Sequence, residues 1–107
     1  MGGTLKADGS GSIVGRWTHA HERDHDGARV FVGPGVRLGL SRGRRVLELA
    51  ADGRFTDHSP GAADRSVATR GRWTLEGGDL RLRYTDGREQ RYRCQVATDG
   101  TLELRSP

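Results

Sequence analysis

Cysteine and long apolar runs are scarce in this chain of 107 residues. The single cysteine, Cys94, excludes an internal disulfide, and the alternation around it predicts that its thiol lies in the core. No segment is apolar enough to form a signal-peptide core or to span a bilayer, so we expect a cytoplasmic protein without a membrane span. A processed secreted form would show the same residues.

Helical patterning is also missing. No stretch of helical length carries apolar residues with a 3.6-residue period, which excludes a helical bundle. Only 33% of the residues are hydrophobic, and 17 are glycine. A sheet with one buried face tolerates this composition because it needs apolar residues only at alternate positions. The chain therefore predicts an all-β fold.

Neither positive nor negative charge dominates the chain. The 18 basic residues are arginines apart from Lys6, and 14 acidic residues among them leave a net charge of +4. Such a mixed surface lacks the concentrated basic stripe typical of nucleic-acid-binding proteins. Nucleic acid is therefore not an expected partner.

Three Asp-Gly dipeptides lie between residues 52 and 100: Asp52-Gly53, Asp86-Gly87 and Asp99-Gly100. Each fits a three-residue hairpin turn closed by a glycine in the left-handed conformation. These turns set a pairing register in which apolar residues oppose apolar residues on one face. The predicted pairs are Leu49 with Phe55, Leu80 with Tyr92, Cys94 with Leu104, and Val96 with Leu102.

Eight or nine short strands follow from this alternation. A Gly/Ser-rich leader is expected at residues 1–11 and a single domain at residues 12–107. The expected strands cover residues 12–18, 29–32, 36–40, 45–50, 54–58, 67–75, 79–85, 88–97 and 101–105. A one-sided meander of this length buries its edges best by closing on itself. We therefore predict an antiparallel up-and-down β-barrel of about eight strands, with a two-sheet sandwich as the alternative.

Three segments carry a family resemblance: Gly15-Arg16-Trp17, residues 47–55 and residues 71–80. The first resembles the Gly-x-Trp arrangement of lipocalins and other calycins, and the other two resemble small bacterial lipocalin-like domains. The resemblance implies a barrel whose closed end is plugged by Trp17. It also implies an interior that binds a small molecule. The chain departs from the family in being shorter and in lacking the partner cysteine for the familiar disulfide.

The inward-facing aromatic residues are the candidate ligand contacts. An eight-stranded barrel is just wide enough to be filled by its own side chains or to hold one small molecule. We expect non-catalytic binding of a small hydrophobic or amphipathic ligand, with polar contacts from Tyr84 and Gln90 near one rim. The expected lining residues are Trp17, Phe55, Trp73, Tyr84, Gln90 and Tyr92.

Three of the four histidines fall within nine residues of Trp17, at His19, His21 and His25. If the first strand continues, His19 and His21 share the face of Trp17, because alternate strand residues point the same way. Two imidazoles so placed begin a tetrahedral zinc site, with His25 as a third ligand. Metal binding is the third hypothesis for function.

Arginines on the outer face of the late strands give the second hypothesis, a protein-interaction or inhibitor module with a packed barrel. The register opposes Arg81 to Arg91 and Arg83 to Glu89, with Arg93 nearby. Like charges directly opposite are unfavourable unless an anion or an acidic partner lies between them. An acidic protein is the partner that this face predicts. Catalysis is not expected, since no serine or cysteine occurs in a nucleophile turn.

Overall fold

The computed structural model describes residues 13–39, 43–60 and 66–107. The expected leader, residues 1–11, lies outside the described residues. The described chain forms eight strands and one short 3₁₀ helix, His21–Arg23. The strands are β1 (Gly15–His19), β2 (Arg29–Val32), β3 (Val46–Leu49), β4 (Arg54–Pro60), β5 (Ser66–Glu76), β6 (Asp79–Tyr84), β7 (Glu89–Val96) and β8 (Leu102–Arg105).

The eight strands close into one barrel in which every neighbouring pair is antiparallel. Strands β3 to β8 follow one another up and down around the wall, and β1 lies between β2 and β3. The ring closes where β2 pairs with β8. The predicted closed antiparallel barrel is therefore confirmed, and the two-sheet sandwich is wrong.

The hairpin registers also agree with the prediction, including Leu49 opposite Phe55 and Cys94 opposite Leu104. Gly53, Gly87 and Gly100 have φ values of 90°, 94° and 87°, as the expected turns require. In each turn the aspartate carboxylate accepts a hydrogen bond from the backbone N–H two residues later, at 2.9–3.0 Å. Each turn is thus stabilised by its own three residues.

One predicted strand is absent from the described residues, and the first strand has different bounds from those predicted. The described part of the expected strand at residues 36–40 contains no strand, and Leu40 lies outside the described residues. Every described strand already pairs with two neighbours in the closed ring, so no free strand edge remains for this link among the described strands. Strand β1 begins at Gly15 and ends at His19 rather than covering residues 12–18.

The two ends of the barrel differ in composition. At the closed end, where β1 begins and β3 ends, large apolar side chains fill the interior. The buried cluster that continues from there through the barrel contains Ile13, Trp17, Phe31, Leu47, Leu49, Phe55, Trp73, Leu80, Leu82, Tyr84, Leu102 and Leu104. At the open end, where β1 ends and β3 begins, the inward positions become polar.

The wall is closely packed at Gly71 on β5, which lies opposite both Phe55 and Tyr84. A Cβ atom added at this glycine would overlap the carbonyl oxygen of Arg83 and would meet Cε1 of Phe55 at 2.8 Å. The first of these atoms belongs to the backbone, so it cannot move aside as a flexible side chain would. Only glycine therefore fits this position.

We expect Gly71→Ala to destabilise the fold by at least about 2 kcal/mol, because forcing an atom into a packed interior strains side chains and backbone. Gly33→Ala is the matched control, since a Cβ there meets nothing within 4 Å. The control should change the free energy of unfolding by less than about 0.5 kcal/mol. Urea unfolding measures both, and equal losses in the two variants would contradict the packing argument.

Candidate functional site

Polar side chains gather inside the open end because the inward alternation of four strands continues past the apolar core. On β4 the inward series that begins with Phe55 continues with Asp57 and Ser59. On β7 the series that includes Tyr92 begins with Gln90. Thr69 and Tyr84 contribute from β5 and β6, and Arg45 precedes β3. Adjacent strands of one ring thus bring these groups together.

Asp57 is the centre of this cluster and is only 3% exposed. Arg45 donates two hydrogen bonds to its carboxylate, from Nε to Oδ1 at 3.1 Å and from Nη2 to Oδ2 at 3.0 Å. The Tyr84 hydroxyl donates to Oδ2 at 2.7 Å, and the Ser59 hydroxyl donates to Oδ1 at 3.1 Å. The buried negative charge therefore has an adjacent positive charge and four donated hydrogen bonds, as buried ions require.

These contacts determine how the groups titrate. Burial by itself raises the pKa of the Asp57 carboxyl, but the hydrogen bonds from Arg45 and Tyr84 and the charge of Arg45 outweigh burial, so the pKa lies below its ordinary value. Burial and the neighbouring carboxylate raise the pKa of the Tyr84 hydroxyl. At neutral pH the cluster therefore holds a carboxylate, a guanidinium and a neutral phenol.

A second tyrosine extends the network to β7. Tyr92 donates its hydroxyl proton to Oε1 of Gln90 at 2.6 Å, while Tyr84 lies 3.3 Å from the same oxygen. Tyr84 has a single proton to donate, and its 2.7 Å contact directs that proton to Asp57. Among the described residues, no buried side-chain nitrogen or oxygen lacks a hydrogen-bond partner. The network is thus complete without any added group.

A cleft of about 390 Å³ opens beside this network at the open end. Three arginines and one carboxylate line it, so its charge is positive overall. Arg88 stacks over the Tyr84 ring, with its Cζ 4.5 Å from the ring centroid. Val67 contributes an apolar wall and is 51% exposed. The complete lining is Arg29, Arg45, Asp57, Ser59, Val67, Thr69, Tyr84, Arg88 and Gln90.

The six residues expected to line a ligand pocket fall into two groups. Trp17, Phe55 and Trp73 are buried in the apolar core. The Trp17 indole donates to the Ile13 carbonyl at 2.8 Å, and the Trp73 indole donates to the Ala50 carbonyl at 2.9 Å.

The other three lie toward the open end. Tyr84 and Gln90 border the cleft, and the half-buried Tyr92 reaches it through its hydroxyl contact with Gln90. The cleft is therefore bordered by only part of the expected aromatic set.

The histidines are distributed differently from the expectation. The chain turns at the buried Ala20, so His21 lies on the 3₁₀ helix and does not share the strand face of Trp17. His19 donates from Nε2 to the Asp24 carboxylate at 3.0 Å, and His25 donates from Nδ1 to the Arg23 carbonyl at 3.0 Å. Within residues 13–39, 43–60 and 66–107, no group of three or more His, Cys, Asp or Glu side chains is arranged to hold a metal ion.

The four outer arginines expected to meet a partner do lie on neighbouring strands β6 and β7. Arg81 and Arg83 share one carboxylate, that of Glu89, at 3.3 and 3.7 Å. Arg93 lies 3.5 Å from Asp79, and Arg91 is opposite Arg81 as predicted. Arg81 and Arg83 thus both pair with a single acidic residue, Glu89.

Sequence reasoning overlooked Asp57, Arg45 and Arg29 as members of the site. A signal for Asp57 was present, because it lies two residues after the inward Phe55 and so points inward on the same strand. Arg45 likewise lies two residues before the inward Leu47.

We expect Arg45→Met to lower the free energy of unfolding by about 3–5 kcal/mol, because it leaves the buried Asp57 carboxylate without its cation. Arg16→Met is the matched control, since Arg16 forms an exposed ion pair with Glu48 at 2.8 Å. The control should lose less than about 1 kcal/mol. Urea unfolding at pH 7 measures both, and a loss for Arg45→Met as small as the control's would refute a structural role for the pair.

Acid should weaken the wild-type fold partly through Asp57. Its folded pKa lies below the unfolded value of about 3.9, so its contribution is complete well above that pH and is lost as the pH falls through the folded pKa. Asp57→Asn removes this titration. We therefore expect a less stable variant whose unfolding free energy changes less than that of wild type between about pH 5 and pH 2. Parallel curves for the two proteins would show that Asp57 does not titrate as described.

The described residues contain no helix long and apolar enough to cross a membrane. The closed eight-stranded barrel is compatible with a lipocalin-like fold. No protein-family model, curated protein or solved structure matches this chain. The case for function therefore depends on the geometry of the cleft and of the outer surface.

Proposed function

We propose that this chain is a lipocalin-like barrel that binds a small amphipathic carboxylate at its open end. The observation that carries the proposal is the charge of the open-end cleft, where Arg29, Arg45 and Arg88 face a single carboxylate, Asp57. Because Arg45 is paired with Asp57 at 3.0 Å and Arg88 is paired with Asp86 at 2.8 Å, the charge of Arg29 remains in excess around the cleft. An anionic head group would offset that excess.

The dimensions and lining of the cleft support a small ligand. A volume of about 390 Å³ falls within the range of small-molecule sites, about 300–1,000 Å³. Arg29 is exposed and takes part in no ion pair among the described residues, so its guanidinium is available to donate two hydrogen bonds to a carboxylate. The half-exposed Val67 offers an apolar surface for a short hydrocarbon or aromatic part.

The packed core argues for a ligand at the rim rather than deep inside. Leu47, Leu80 and Leu82 are fully buried in the middle of the barrel, and both indole N–H groups are bonded to backbone carbonyls. A ligand that entered this region would have to displace packed side chains, which costs free energy. The polar network at the open end needs no such rearrangement.

The test is a calorimetric titration at pH 7 with octanoate, octanol and octylamine, three probes that share a chain length and differ in head-group charge. We expect octanoate to bind at least about tenfold more tightly than octylamine, because one charge-assisted hydrogen bond contributes about 1.5–3 kcal/mol. Arg29→Gln should weaken octanoate binding about tenfold. Arg37→Gln, an exposed arginine on the link between β2 and β3, should change it less than about twofold.

Two outcomes would overturn the proposal. Equal affinity for octanoate and octanol, accompanied by a change in tryptophan fluorescence, would move the ligand into the apolar core beside Trp73. No saturable heat with any probe would favour a packed barrel that acts through its outer surface.

A further inference from the structure

The outer face of the barrel carries a second, independent concentration of positive charge. Arg54 on β4 lies directly opposite Arg72 on β5, and Arg72 lies directly opposite Arg83 on β6. We name these three residues the outer arginine row. All three are exposed, and the side chains of Arg54 and Arg83 are 73% and 72% accessible. Three like charges on three adjacent strands repel one another in the free protein.

Few carboxylates relieve this repulsion. Arg54 lies 3.7 Å from Asp52, whereas Arg83 must share Glu89 with Arg81. In the part of the chain that the structure describes, Arg72 at the centre of the row takes part in no ion pair. The row is therefore a site of positive charge that an external anion would stabilise.

The outer arginine row borders a groove of about 590 Å³ on the outside of the wall. Arg70 adds a fourth guanidinium, because it lies two residues before Arg72 and on the same face of β5. Thr56 and Thr85 also line the groove and provide hydroxyl donors. Neighbouring strands are about 4.8 Å apart, so guanidinium groups from two strands are able to converge on a single tetrahedral anion.

We propose that this outer groove binds the phosphate group of a small organic phosphate. Guanidinium forks donate paired hydrogen bonds to phosphate oxygens, and hydroxyl donors complete such a site. A concave groove fits a small molecule better than it fits a flat protein surface. Nucleic acid is disfavoured because the tryptophans, the phenylalanines and Tyr84 are buried, which leaves almost no aromatic surface for stacking bases.

The groove and the open-end cleft are separate sites. Their side chains leave opposite faces of the same strands: Asp57 and Ser59 of the cleft point into the barrel, whereas Arg54 and Thr56 of the groove point outward. Failure of octanoate binding at the open end would therefore leave the phosphate proposal standing, and the reverse also holds.

The test is a titration of the ¹⁵N-labelled protein with phenyl phosphate, followed by amide chemical shifts. We expect saturable shifts that centre on Gly71, Arg72 and Arg83. Arg72→Gln should weaken binding at least about tenfold, which corresponds to one charge-assisted contact. Arg72→Lys keeps the charge but loses the fork, so it should give an intermediate loss. Arg37→Gln is the control and should bind within about twofold of wild type.

Other ligands and a folding control make the result decisive. Inorganic phosphate should shift the same amides more weakly if the organic part also contributes. If poly-glutamate or duplex DNA shifted these amides at lower concentrations than phenyl phosphate does, the proposal would be overturned and the face would be assigned to a macromolecule. The absence of saturable shifts, or equal losses in Arg72→Gln and Arg37→Gln, would also overturn it. Far-UV circular dichroism confirms that each variant is folded before its affinity is compared.

Discussion

Closure of the strands into one ring is the constraint on which the rest of this structure depends. The pairing of β2 with β8 leaves no free sheet edge among the described strands, and it gives the protein a single interior shared by all inward side chains. Those side chains must therefore fill one volume together. In this barrel apolar residues fill the closed end and the middle, and most inward positions at the open end are polar, with Asp57, Arg45 and Arg29 carrying charge.

The charged groups inside the barrel are tolerated because they form hydrogen bonds and an ion pair with neighbouring side chains. Asp57 would be costly to bury alone, yet Arg45 supplies two hydrogen bonds, and Tyr84 and Ser59 supply one each. Arg88 at the cleft is paired with Asp86 at 2.8 Å, so Arg29 is the one lining arginine that takes part in no ion pair among the described residues. The proposed anion site therefore depends on Arg29 and lies beside the network that makes the open end compatible with folding.

Local sequence was sufficient to predict the strand register in much of the barrel wall. Each Asp-Gly turn is stabilised within three residues, so the register of Leu49 with Phe55 and of Cys94 with Leu104 follows without knowledge of the rest of the fold. The position of β1 between β2 and β3 was not predictable in this way. It depends on contacts between segments far apart in the chain, and no local turn encodes them. The same reason explains the misplaced strand at residues 36–40.

In the candidate sites, too, some features follow from local sequence and others from tertiary contacts. Alternation by itself determined that Tyr84 and Gln90 point inward, because strand geometry needs only neighbouring residues. Tertiary structure decided that Arg29 from β2 lines the same cleft as Asp57 from β4, since closure of the ring gives these two non-neighbouring strands one interior. It also decided that Arg72 lies between two other arginines, because a residue in the middle of the wall is paired on both sides. The sequence thus determined the alternation of side chains along the strands and their pairing within local hairpins, because both depend on neighbouring residues alone. The closed barrel determined which side chains from distant strands meet.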